Sequence, residues 1–409
     1  MEMVLEFLRD VLSQPALLIG IMSCVGLVAL KRPFHKVMTG TLKPILGYLM
    51  LAAGAGVIVS NLDPLGKMIE HGFHITGVVP NNEAIVAVAQ KVLGVETMSI
   101  LVVGLLMNLC IARFTKFKYV FLTGHHSLFM ACLMSAVLGT AGLSGMELIL
   151  VGGFLMGAWS AISPAIGQSY TSKVTDGDEI AIGHFGSLGY YLSAWVAQYV
   201  GKAEDSTEDI EIPEKWGFLR DSTLSTALTM IVFYLIAAIA AGSEFVSTLS
   251  GDMSPYLYAV MSAMNFAVGV TIVYSGVRMI LGDLIPAFQG IATKIIPNAI
   301  PAVDCAVFFT YAPTAVVLGF LSSFIGGIIG MLILGAVGGV LIIPGLVPHF
   351  FCGATAGIYG NATGGRRGAA VGAFLNGLAI TFLPAMALPV LGQLGFQNTT
   401  FGDADFAVM

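Results

Sequence analysis

Gly47-Tyr48-Leu49-Met50-Leu51-Ala52-Ala53-Gly54 returns as Gly269-Val270-Thr271-Ile272-Val273-Tyr274-Ser275-Gly276, two glycines framing an apolar run and repeated 222 positions later. Outward from this pair the correspondence continues. Pro64 and Ile69 recur as Pro286 and Ile291 at the same offset. Pro80 and Glu83 recur as Pro301 and Asp304, Gly124 and Phe129 as Gly345 and Phe350, and Gly139 and Ala141 as Gly360 and Ala362, all at 221. Phe154, Leu155 and Gly157 recur as Phe374, Leu375 and Gly377 at 220. A nearly constant offset from residue 40 to residue 157 marks a duplicated unit. Tandem units in a hydrophobic chain are the pattern of secondary transporters, whose substrate sites form between the copies.

Composition agrees. The chain is 56% apolar and 10% charged, with a mean hydropathy of +0.89, which excludes a water-soluble domain of this length. Its apolar runs reach the roughly 20 residues a helix needs to cross the hydrocarbon. They read as ten spans, at 15 to 30, 44 to 62, 97 to 112, 119 to 138, 146 to 168, 224 to 242, 257 to 280, 305 to 333, 341 to 360 and 369 to 391. Short alternating segments, the mark of an outer-membrane barrel, are absent from the pattern. The fold class is therefore an all-α polytopic membrane protein of two five-helix repeats. Residues 1–200 form the first repeat, 201–222 a connector and 223–409 the second. The start lacks a basic n-region and a small-residue cleavage site, so Pro15 to Leu30 reads as a retained span.

Loop charges give the orientation. Lys31, Arg32, Lys36 and Lys43 follow the first span, and Arg113, Lys116 and Lys118 the third, whereas residues 139 to 145 carry no charge. In the second copy the basic pair Arg366-Arg367 follows the fourth span, and residues 243 to 256 hold only Glu244 and Asp252. Basic loops stay cytoplasmic, so the copies are expected to be inverted relative to one another. An odd number of spans per copy leads to the same conclusion. The amino terminus is then expected outside and residues 201 to 222 inside.

Some segments are too short or too polar to cross. Thr175-Asp176-Gly177-Asp178 followed by the apolar stretch around His184 reads as a re-entrant hairpin, since irregular backbone at membrane depth must line protein or a watery cavity. Residues 287 to 303 and their counterpart, 67 to 82, read as irregular too. Each ends in a proline with an acid three residues on: Pro80 with Glu83, and Pro301 with Asp304. Two readings stand side by side. One is ordinary helix-start chemistry, a proline and a carboxylate near the positive end of the helix. The other is a pair of polar groups aimed at a substrate near the midplane. Intramembrane charge costs roughly 2.5–3.5 kcal/mol at a helix centre on insertion scales, so Glu83, Asp304 and Arg278 are expected to face a cavity or one another.

Leu122-Thr123-Gly124-His125, Thr175-Asp176-Gly177 with Ile182-Gly183-His184, Pro297 through Asp304-Cys305 to Ala312-Pro313, and Ile342-Ile343-Pro344-Gly345 with Gly364-Gly365-Arg366-Arg367 occur in that order. Together they resemble the membrane subunit, IIC, of ascorbate-specific phosphotransferase systems over nearly the whole chain. The resemblance implies a bacterial inner-membrane homodimer with a V-motif dimerisation domain and a substrate-carrying core domain that moves in an elevator-like manner. It also implies a cytoplasmic IIB partner, fed by IIA, whose phosphorylated cysteine modifies the sugar. No cofactor is implied. Members of the family usually have an eleventh span, and this sequence stops where a second hairpin or final helix should begin, so the chain is truncated or ends early with its carboxyl terminus outside. Phe401-Gly402-Asp403-Ala404-Asp405 echoes the first hairpin's Gly177-Asp178 at an offset of 225.

Carried over position by position, the resemblance implies substrate contacts from His125, His184 and Asp304. Where the ascorbate pattern has glutamines, this chain has Phe129 and Phe185; where it has a Thr-Tyr pair, this chain has Asn82-Glu83. Unpaired hydroxyls would then cost about 1–3 kcal/mol each if buried, so a related sugar acid, lactone or polyol stacked on the phenyl rings fits as well as ascorbate. From spacing alone, His125 and His184 are equally read as buried structural histidines. His126, beside His125, and His349, whose repeat position holds Leu128, have weaker claims. Arg366 and Arg367 read as topology anchors, with a smaller role in attracting a phosphorylated partner.

The five cysteines, Cys24, Cys110, Cys132, Cys305 and Cys352, lie in apolar runs without ligand spacing, so neither a metal site nor a disulfide follows from the pattern, and they read as small core residues. No nucleotide-binding glycine motif is present. The acidic stretch Glu204, Asp205, Glu208, Asp209 and Glu211 reads first as a solvated connector and second as a dock for a partner. A stand-alone facilitator or proton-coupled carrier, with Glu83 or Asp304 as the proton site, is the alternative to a phosphotransferase permease.

Overall fold

The protein is described here by a computed structural model that covers residues 10–11, 14–74, 77–78, 80, 82–210, 222–393 and 400–408, apart from some side chains, those of residues 83–93 and His125 among them. Among the described residues six helices are long and apolar enough to cross a membrane, and one bent pair makes a seventh. Ten spans were expected, and particular segments account for the difference. Helix α1 (Pro15–Ala29) has 15 residues, about 22 Å of helix against a hydrocarbon layer of about 30 Å. The segment expected to span at 119 to 138 is a strand, β1 (Tyr119–Phe121), followed by a 17-residue helix, α4 (Gly124–Thr140). The last two expected spans belong to one broken element, described below.

The central pair of helices is α2 (Phe34–Gly72) and α9 (Pro255–Lys294), with 39 and 40 residues. They cross at the repeated glycines. A Cβ on Gly47 would lie 2.9 Å from the Gly276 carbonyl oxygen, and one on Gly54 would lie 2.7 Å from that of Gly269. Gly47 meeting Gly276 while Gly54 meets Gly269 makes the helices antiparallel. Backbone sits directly on backbone there, a spacing that any side chain would prevent. Helices α1 and α7 (Ser222–Ala241) pack against this pair, and α7 turns by 116° into α8 (Ser243–Ser250). The irregular run expected from residue 287 is shorter than expected, because α9 continues to Lys294.

Two further groups complete the molecule. Helix α3 (Asn82–Phe114) packs with α4 and α5 (Gly145–Thr175), and α6 (Ser187–Val200) and α10 (Pro313–Ala336) both pack against α11 (Ala354–Gln393). Inside α11 the backbone leaves helical geometry at Gly364 and Gly365, the latter with φ of 58°. The chain doubles back there, Gly360 lying against the Gly368 carbonyl. Only glycine adopts that φ cheaply. The hairpin tip is fastened to the connector: the Arg366 backbone N–H donates to Asp205 O at 2.8 Å, its Nε to Ser206 O at 3.1 Å, and the Thr207 N–H to Asn361 Oδ1 at 2.8 Å. Glu208 accepts from the Thr314 and Ala315 N–H groups at the start of α10. The first ten residues of the connector are thus tied down, while Glu204, Asp205, Glu208 and Asp209 stay exposed.

The sequence reading has no counterpart for a small parallel sheet. β1, β2 (Ala181–Ile182) and β3 (Ile300–Val303) align in the order β1-β3-β2, with Phe121 opposite Ala302 and Ile182 opposite Val303. Two strands come from the first half of the chain and the middle one from the second. Side-chain amides close its edges. Asn108 of α3 donates from Nδ2 to Tyr119 O at 3.1 Å and accepts the Phe121 N–H at 3.0 Å, while Gln168 of α5 donates to Ile180 O at 3.2 Å. Without such partners, the edge groups of a sheet in hydrocarbon would have no hydrogen bonds. A second crossing between the halves, the parallel bridge between Val78 and Ile342, lies next to Pro80 and Pro344.

Candidate substrate-binding site

Because the three strands are parallel, their carboxyl ends point the same way and release the chain at one place. Past β1 come Thr123-Gly124 and the histidines that open α4; past β2, Gly183-His184; past β3, Asp304. This is the geometry by which open parallel sheets gather ligand-binding residues at strand ends. His126, His184 and Asp304 all line one cavity of about 1140 Å³. Phe129, Pro80, Asn82, Gly345, Cys352 and Asp403 share its wall, and α2 contributes Tyr48, Leu51 and Leu62.

The two imidazoles are in contact, tilted by 49° with ring centres 3.8 Å apart. His184 Nδ1 accepts the Gly186 N–H at 3.0 Å and lies 2.9 Å from the Tyr190 hydroxyl. His126 Nδ1 accepts the Phe185 N–H at 3.4 Å. A nitrogen that accepts cannot carry the proton, so in the neutral state both rings hold it on Nε2 and act as donors from there. Asp304 caps the short 3₁₀ helix Cys305–Thr310, its Oδ1 accepting the Ala306 N–H at 3.0 Å. It therefore shows the helix-start chemistry expected of it and also stands on the cavity wall.

The segment 400–408, with its short helix α12 (Ala404–Val408), completes the wall. Asp403, 5% exposed, accepts from Asn82 Nδ2 at 2.6 Å and from Cys352 Sγ at 2.7 Å, and stands 4.0 Å from His184 Nδ1. The Gly402 N–H returns a bond to Asn82 Oδ1 at 2.9 Å. Asp405 seals the start of α6, accepting from Ser187 Oγ at 2.8 Å and the Leu188 N–H at 3.0 Å. Phe406 lies parallel to His126 at 6.1 Å.

Of the residues singled out in the sequence, His184, Asp304, Asn82 and Phe129 meet at the cavity. Phe185 stands behind the wall, fully buried against Phe121 at 4.8 Å, where it fixes the histidine pair. The side chains of Glu83 and His125 lie outside the described residues. His126, given the weaker claim, is the neighbour seen on the wall. His349 is buried against Ser323 at 2.8 Å, away from the cavity, and Arg278 is exposed on α9, not turned to the cavity. Cys132, Cys305 and Cys352 are buried as expected, but Cys110 is exposed. Asp403 was missed as a site residue. Its only signal was the Gly-Asp echo between the two hairpins.

A model of the family EIIC-GAT, the sugar-specific permease component of the PTS system, matches residues 10–405. The chain belongs to this family. It is 27% identical, over 424 aligned residues, to a Mycoplasma pneumoniae (strain ATCC 29342 / M129 / Subtype 1) protein described as an ascorbate-specific PTS system EIIC component, in an alignment that covers 89% of this chain. The chain spans 63% of the length of that curated relative. Family membership and six membrane-length helices among the described residues make it a multi-pass protein of the bacterial inner membrane.

Proposed function

We propose that the protein carries L-ascorbate or a related sugar acid or polyol across the inner membrane as the IIC permease of a phosphotransferase system, with a separate IIB subunit, charged by IIA, phosphorylating the sugar. The single observation that supports this reading best is the meeting of three strand ends from both halves at one cavity bearing two imidazoles and two carboxylates. Such a set offers donors and acceptors to several hydroxyls, and Phe129 offers a face to the sugar's C–H groups. Sugar contacts are assigned to His126, His184, Asp304, Asp403, Asn82 and Phe129, with Phe185 as a positioning residue; Glu83 and His125 remain assigned from sequence alone.

The antiparallel crossing of α2 and α9 at repeat-related glycines supports two inverted repeats. On this reading α1, α2, α7 and α9 form the V-motif domain that pairs two protomers, and the sheet with the remaining helices forms the core that moves in an elevator fashion. The connector, held against Arg366, would face the cytoplasm. Thermal unfolding of purified protein against ascorbate, sugar acids and polyols tests the assignment, since a ligand at 100 times its Kd stabilises by about 2.7 kcal/mol. Asp304→Asn and His184→Ala are each expected to abolish the response while leaving a folded protein. A response that survives in both variants rejects the site. Uptake in vesicles separates the mechanisms: product should appear phosphorylated, and only when IIB is supplied.

A further inference from the structure

We propose that His184, Cys352 and Asp403 form a site for a zinc-class divalent ion on the cavity wall, and that an ion bound there blocks the sugar. A ring nitrogen of the histidine, the cysteine sulfur and a carboxylate oxygen lie within 4.8 Å of one another, on three buried residues. They arrive from three separate places: the turn after β2, the π-helical turn His349–Gly353 and the segment 400–408. Nitrogen, thiolate and carboxylate are the donors zinc takes at about 2.0–2.3 Å, which sets tetrahedral neighbours roughly 3.3–3.8 Å apart. His184 Nδ1 and Asp403 Oδ1, at 4.0 Å, need to move only slightly; Cys352 Sγ, at 2.7 Å from Asp403, must swing outward.

The surroundings suit an ion. Asn82 holds Asp403 Oδ2, leaving Oδ1 for the metal, the outer-shell support that orients a ligating carboxylate. Thiolate and carboxylate together neutralise a divalent charge, which a buried site requires. The thiol proton leaves to solvent as the sulfur binds. Three protein ligands leave a fourth position open to the cavity, the arrangement of an accessible zinc site. Against binding stand the Gly186 N–H and Tyr190 hydroxyl, which hold the Nδ1 lone pair and must yield it. An ion that takes His184 and Asp403 takes two groups assigned to the sugar; this blocking half rests on the function proposed above, and the binding half does not.

The test is Co²⁺ titration of the purified protein in detergent. Wild type should develop a thiolate-to-cobalt charge-transfer band that Zn²⁺ displaces. Cys352→Ser and Asp403→Asn should lose it, and Cys110→Ala should keep it. Absence of the band at millimolar Co²⁺, or its persistence in Cys352→Ser, overturns the site. Zn²⁺ should also cancel sugar-induced thermal stabilisation in wild type and leave it unchanged in Cys352→Ser. A band with undiminished sugar response in the presence of Zn²⁺ overturns the blocking half alone, whereas a band with no sugar response of any kind counts against the transport reading instead.

Discussion

Replacing Asn108 by Leu tests whether a side-chain amide closes the buried sheet. Asn108 is 1% exposed, and its amide makes two bonds to β1, at 3.1 Å to Tyr119 O and at 3.0 Å from the Phe121 N–H. Leucine has the same branching and number of heavy atoms, so no large void complicates the result. The Phe121 N–H loses its partner at a buried position and the Tyr119 carbonyl at a half-buried one. Each such loss costs about 1–3 kcal/mol, or about 2–6 kcal/mol for the pair. Extending the known size trend to a chain this long, each kcal/mol moves the midpoint by roughly 1–2 °C, so the fall should be roughly 2–12 °C. Gln168→Leu removes one bond to the sheet, to Ile180 O, with a longer one to Ser172 Oγ on its own helix, and should cost about half as much. Thermal unfolding of the three proteins in one detergent, followed by tryptophan fluorescence, is the assay. Because β1 leads straight into the histidines of α4, the sugar response of Asn108→Leu should weaken as well. An Asn108→Leu midpoint equal to wild type, or one above that of Gln168→Leu, would show that the edge is satisfied by something other than these amides.

Other consequences are equally open to measurement. Gly54→Ala places a methyl 2.7 Å from the Gly269 carbonyl, whereas Gly56→Ala, on the same helix, meets nothing within 4 Å; the first should destabilise by about 1–3 kcal/mol through overpacking and the second should be neutral or slightly stabilising, as read from paired melting curves. Asn82→Ala breaks the two bonds from Asn82 to the segment 400–408 and should weaken sugar-induced stabilisation more than it lowers the midpoint without sugar; an unchanged sugar titration contradicts the role given to that segment. Glu208→Ala removes the acceptor at the start of α10, with an expected loss of about 0.5–2 kcal/mol typical of a helix cap, seen as a lower midpoint and faster tryptic cleavage at Lys202.

What the sequence disclosed follows from what leaves a periodic trace. The glycines at 47, 54, 269 and 276 are spaced by two helical turns, and an antiparallel crossing of duplicated helices reads that spacing in both copies. The sheet leaves no such trace. Strands of two to four residues inside continuously apolar sequence have no alternation to distinguish them from helix, and Asn108 and Gln168 look like stray polar residues until their backbone partners are placed. That His126 faces the cavity was beyond the sequence for a geometric reason: the direction of a side chain at a helix start turns by about 100° per residue and is fixed by how α4 is set, which no local pattern records. The break at Gly364-Gly365 hid similarly, because apolar runs on both sides made one broken element read as two spans.

The way each part is held together bears on how the proposed movement can occur. The sheet takes strands from both halves of the chain and closes its edges with helices α3 and α5. It cannot be pulled apart without stranding buried backbone groups, so in the proposed movement it would travel as one piece with the site residues at its strand ends. Helices α2 and α9 are locked just as firmly, since their glycines leave no slack for sliding. The cavity lies where these two bodies meet: His126, His184 and Asp304 on one wall, Tyr48, Leu51 and Leu62 on the other. Side chains facing one another across a cavity can exchange neighbours at little cost, whereas paired strands and interlocked glycines cannot. Motion that carries a sugar is therefore expected to run along that wall, and it leaves the constellation that holds the sugar undisturbed as it goes.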